Sequence, residues 1–88
     1  MDNTDLAKNG IRAYQLGEYP AAVEFLTALL IRDPKLWRCR LYLALAYLGV
    51  GEQARAKREL QEIANSSSDQ SLRKDANDAL RDLGLTVG

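Results

Sequence analysis

The sequence predicts an all-α domain of five short helices joined by tight turns, and three observations predict it. Ala, Leu, Arg, Glu, Lys and Gln dominate the 88 residues, and no segment sustains the period-two alternation of a half-buried strand. Turn-forming residues recur at regular intervals along the chain. The third is an internal match at a displacement of thirty-four residues, where Gly17 falls on Gly51, Glu18 on Glu52, Ala22 on Ala56 and Leu26 on Leu60. A chain of 88 residues is read as one domain, residues 1–88, near the lower end of what can bury an adequate core.

The first helix is expected over about residues 4–16. Gly17-Glu18-Tyr19-Pro20 then makes a turn, and Pro20 suits the first turn of a second helix over about 20–32. Asp33-Pro34 closes that helix, because the residue before a proline avoids the helical region. A third helix over about 35–49 is the oddest segment: from Leu41 to Gly51 no residue is charged, in a chain that is 27% charged. Gly49-Val50-Gly51 ends it, and a fourth helix follows over about 52–65. The polar run Asn65–Asp69 leads into a fifth over about 69–83, with Ser68 or Asp69 as its cap. Leu72, Ala76, Ala79, Leu80 and Leu83 form one stripe of that helix, and its other side is charged. Short connections make successive helices antiparallel hairpins.

Composition excludes several functions. Twelve Lys plus Arg balance twelve Asp plus Glu, which leaves no net field toward nucleic acid or an anionic membrane. The local clusters Arg32, Lys35, Arg38, Arg40 and Arg55, Lys57, Arg58 read as solvated helix faces. The uncharged run would span roughly 16 Å as a helix, about half a hydrocarbon core, so no membrane crossing is expected. The first residues are acidic and polar, unlike a signal peptide, and a single cysteine forms no intrachain disulfide; a cytoplasmic chain is expected. There is no histidine, no glycine-rich phosphate loop and no Cys-x-x-Cys pair. No enzyme activity, metal site or cofactor is therefore expected. Arg38 and Arg40 flank Cys39 and favour its thiolate, but adjacent helical side chains point apart, and Cys39 reads as packing.

The thirty-four-residue match is carried by recognisable positions. Leu6, Gly10, Ala22, Leu26 and Pro34 stand in the first copy, and Leu43, Ala44, Tyr47, Ala56 and Leu60 in the second. Over about residues 3–68 the chain resembles the tetratricopeptide repeat family, in which each unit is a helix–turn–helix of this length. Asn9, Ala13, Arg40 and Ser68 depart from that family's usual residues. The resemblance implies repeat one over about 3–36, repeat two over about 37–68 and a capping helix over about 69–83, wound as a right-handed α–α superhelix. It also implies that the first helix of each unit lines a concave inner surface that binds a peptide or protein segment.

A helical wheel supplies that surface with residues. On the third helix Arg40, Leu43, Ala44 and Tyr47 cluster toward its hairpin partner, and Arg38, Leu41, Tyr42, Leu45 and Leu48 lie opposite. The matching residues of the first helix are Ala7, Lys8, Ile11, Tyr14 and Gln15. The partner-binding candidates are thus Ile11, Tyr14, Arg38, Leu41, Tyr42, Leu45 and Leu48. Some members of the family grip a terminal carboxylate with lysine and asparagine on these helices. Here Ala7, Leu41, Ile11 and Leu45 occupy those positions, so that mode of capture is not expected. Three occupants fit an apolar face of this kind: a protein or peptide partner, a second copy of the chain in a homodimer, or a neighbour in a larger assembly of which this chain is one module. Simple burial of the leucines in a stacked core accounts for the same pattern.

Overall fold

The computed structural model describes residues 1–84 and contains five helices among them: α1 (Asn3–Gln15), α2 (Tyr19–Arg32), α3 (Trp37–Gly49), α4 (Gln53–Ser66) and α5 (Gln70–Asp82). Each lies within two residues of its expected position. The ends follow from named residues. The Asp2 carboxylate accepts from the Asp5 amide at the start of α1, and Asp69 does the same for Ser71 and Leu72 at the start of α5. Pro20 sits in the first turn of α2, where its missing amide breaks no hydrogen bond. The α2–α3 connection runs longer than expected, with α3 starting at Trp37, because Pro34 and the Lys35–Leu36 step stay outside the helical run.

The turns after α1 and α3 are the same structure. Gly17 donates to the Tyr14 carbonyl and Glu18 to that of Ala13, at 3.0 and 2.8 Å. Thirty-four residues on, Gly51 donates to Leu48 and Glu52 to Tyr47, at 3.1 and 2.8 Å. Both are Schellman closures, which need a left-handed residue one step past the helix. Gly17 and Gly51 supply it, with φ of 78° and 82°. The end of α5 begins the same way, with Gly84 at φ 70° and its amide on the Arg81 carbonyl at 2.9 Å.

Packing then builds two layers. Consecutive helices pack together, α1 and α5 each touch α3, and α2 and α4 do not touch each other. One layer is therefore α1, α3 and α5, and the other is α2 and α4. The molecule is 18 Å thick in its shortest direction, which matches two layers of helices about 10 Å across. At the open end of the first hairpin Arg32 donates to the Met1 carbonyl at 2.8 Å, tying the end of α2 to the start of α1. Gly10 allows α1 and α2 to close up: a Cβ there would stand 2.7 Å from Leu26.

Helix α3 touches all four other helices. That explains its lack of charge. Cys39, Leu43, Ala44, Ala46 and Tyr47 are buried, and only Arg38 and Gly49 of its thirteen residues are exposed. Around it the core divides in two. Leu6, Leu26, Leu29 and Leu43 belong to one cluster; Ala44, Leu60, Ile63, Leu72 and Leu80 form the other. Leu26, Leu29, Leu60 and Ile63 are completely buried, each contributing about 1.5–3 kcal/mol of transfer free energy.

Candidate binding face

The candidate residues lie on the α1/α3/α5 layer, and they do not form one continuous set. Tyr14 of α1 and Tyr42 of α3 meet edge to face with ring centroids 5.5 Å apart. Tyr19, at the start of α2, extends the aromatic group 5.7 Å from Tyr14. Gly49 leaves space for the Tyr19 ring, since a Cβ at that position would run into it. These rings gather at the turn end of the layer and mark the seam between α1 and α3.

Ile11 lies one turn before Tyr14 on α1, and Leu45 one turn after Tyr42 on α3, each about 4.5 Å along its helix. Both are half-buried, and neither joins a core cluster. The other two leucines differ. Leu41 packs with Trp37 against the second cluster, and Leu48 packs against the first. All four are half-buried; packing against the core clusters accounts for Leu41 and Leu48, whereas Ile11 and Leu45 are left beside the seam.

Arg38 stands apart from the rings. It is exposed, and it edges a shallow hollow with Lys35, Trp37, Asp69 and Leu72 where the starts of α3 and α5 meet. On α1 a second shallow hollow is bordered by Asp5, Lys8, Ile11, Arg12 and Gln15. Among the described residues the ion pairs are Arg40–Glu59, Arg55–Glu52, Lys74–Asp78 and Arg81–Asp78. None involves Lys8, Arg12 or Arg38.

Arg40, out of pattern in the sequence, has a structural role. Its guanidinium donates to Glu59 at 2.6 Å and to the Pro34 carbonyl at 2.8 Å, and it lies 5.5 Å from the Trp37 ring. Both side chains of the Arg40–Glu59 pair are largely enclosed, 16% and 17% exposed. Sequence reasoning missed Glu59 as the partner. The repeat displacement contained the signal, because Arg40 and Glu59 match Leu6 and Phe25, which share the first core cluster.

Cys39 is buried, and its thiol is pushed above the ordinary range by burial and by the Asp33 charge, against the opposing effect of Arg38. The thiol form therefore dominates at neutral pH, as in packing cysteines. Among the described residues no three of His, Cys, Asp and Glu stand close enough to hold a metal ion. No helix among them is long and apolar enough to cross a membrane. Comparison with known protein families, curated proteins and solved structures gives no match to this chain.

Proposed function

We propose that the chain is a non-catalytic interaction module of the tetratricopeptide type, an adaptor that holds a peptide or protein segment against the α1/α3 seam. One observation carries the reading: Ile11 and Leu45 flank the Tyr14–Tyr42 pair, half-buried and outside both core clusters. Such a surface has a rigid aromatic centre with apolar groups to either side, the composition favoured at interface anchors. Two further observations support the repeat assignment. The two Schellman hydrogen bonds of each hairpin turn match, and the first helix of each hairpin shares a layer with α5. The burial of Cys39, with its thiol pushed above the ordinary range, supports a packing role for it, and a lone thiol suits a reducing compartment such as the cytoplasm.

The test is selection of peptides from a displayed random library on the full chain, followed by binding to two variants. Leu45→Glu places a charge beside the seam; Ile31→Glu places one on α2, where Ile31 is already 78% exposed. Selected peptides are expected to lose binding to Leu45→Glu and keep it for Ile31→Glu. The reverse result, or a library that yields no binder, overturns the proposal.

A further inference from the structure

The α1/α3 seam is electrically one-sided. Helix α3 contains Arg38 and Arg40 and no carboxylate, and α1 contains Lys8 and Arg12 with Asp5 as its single acid. Arg40 is neutralised by Glu59 on the other layer. Lys8, Arg12 and Arg38 have no ion-pair partner among the described residues. Asp69, at the edge of the Arg38 hollow, has its carboxylate engaged as the cap of α5.

Helical geometry places two of these cations, Lys8 and Arg38, along the seam. Successive antiparallel hairpins make α1 and α3 parallel, and the Tyr14–Tyr42 contact fixes their register. Arg38 lies one turn before Tyr42, and Ile11 one turn before Tyr14, so the two are near the same level. Lys8 lies one further turn down α1, about 9 Å from the Tyr14 level, whereas Arg12 stands about 160° round the helix from Tyr14, on the far side of α1 from the seam. The seam thus has an apolar, aromatic half at Tyr14, Tyr42 and Leu45 and, one to two turns down, the cations Lys8 and Arg38, with Asp5 bordering the same hollow as Lys8. Basic character stops at α5, whose side away from the core carries Asp75, Asp78 and Asp82, with Asp78 held by Lys74 and Arg81.

We infer that the segment held at this seam is an acidic amphipathic one, with apolar anchors against the Tyr14–Tyr42–Leu45 half and side-chain carboxylates over Lys8 and Arg38. This rests on the reading of the seam as a peptide-binding face. The charge is recognised on Asp or Glu side chains, so no free chain terminus is required. Partly desolvated pairs of this kind set specificity and orientation, and they respond to salt.

The test uses two synthetic peptides of about sixteen residues, roughly four helical turns, with the same leucine stripe and either glutamate or lysine elsewhere. Fluorescence anisotropy follows each against the full chain. The glutamate peptide is expected to bind at least about tenfold more tightly than the lysine peptide, and the advantage should shrink as ionic strength approaches about 1 M. Lys8→Glu/Arg38→Glu should reverse the preference, with an unchanged helical circular-dichroism spectrum showing that the variant folds. Leu45→Glu should weaken both peptides. Equal binding of the two peptides, or a preference unmoved by the double variant, overturns the acidic assignment and leaves the seam as a binding face. Binding of both that ignores Leu45→Glu removes the seam itself.

Discussion

The two hairpins, α1–α2 and α3–α4, share a turn, and at one pair of their matched positions an apolar contact is replaced by a charged one. In the first hairpin Leu6 and Phe25 sit in a common apolar cluster. Thirty-four residues later the same positions hold Arg40 and Glu59, joined at 2.6 Å and mostly enclosed. The difference follows from surroundings. Leu6 is at the start of the stack. Arg40 is in the central helix, where the Pro34 carbonyl and the Trp37 ring are within reach of its guanidinium. A charged pair is accepted at such a depth only when its hydrogen bonds are nearly complete. Even here the match is imperfect, since Arg40 Nε is buried without a partner. The same slot in a repeated unit is thus set by what its neighbours supply.

If the two hairpins are packed equivalently, their shared core residues should count equally. Leu26 and Leu60 are both fully buried at matching positions. Leu26→Ala and Leu60→Ala should each lower stability by about 3–5 kcal/mol, read from urea unfolding midpoints. A large inequality would break the comparison. Glu59→Ala removes the carboxylate and leaves Arg40 enclosed with fewer partners. A loss of about 1–3 kcal/mol is expected. The double substitution Arg40→Leu/Glu59→Phe installs the first hairpin's residues in the second, and its net change should stay within about 1 kcal/mol. A double variant as unstable as Glu59→Ala would show that the charged pair does something the apolar pair cannot.

The smallest expected effect concerns a pair with no enclosure. Lys74 donates to Asp78 at 3.0 Å on the outer side of α5 and, with Arg81 nearby, holds that carboxyl below the usual carboxylate range. A depressed carboxyl stabilises the fold above its unfolded pKa, and that contribution is lost as pH falls through the folded value. Lys74→Ala should move the Asp78 titration back up toward the ordinary range in an NMR pH series. Unfolding midpoints should scarcely change, because exposed pairs of this kind are worth little.

Local signals made most of the fold readable. Gly17 and Gly51 announce the left-handed residue of a Schellman turn, Pro20 the first turn of α2, and Asp69 the cap of α5. Each acts within a few residues, which is the range over which a sequence speaks directly. The candidate site was less legible. A wheel of α3 puts Leu41, Leu45 and Leu48 on one side, but it cannot tell which of them α5 and the first cluster cover. Only the packing of other helices leaves Leu45 beside the seam while setting the equally half-buried Leu41 and Leu48 against the core clusters. The Arg40–Glu59 pair was hidden for a similar reason: it joins two helices whose register is set in three dimensions.

The central claim is that the α1/α3 seam is open for another molecule. Its most direct test is the solution mass of the full chain by sedimentation equilibrium, from micromolar to millimolar concentration. The account predicts the mass of one chain throughout. A stable dimer that Leu45→Glu converts to monomer would contradict it, because the seam would then be occupied by a second copy of the chain.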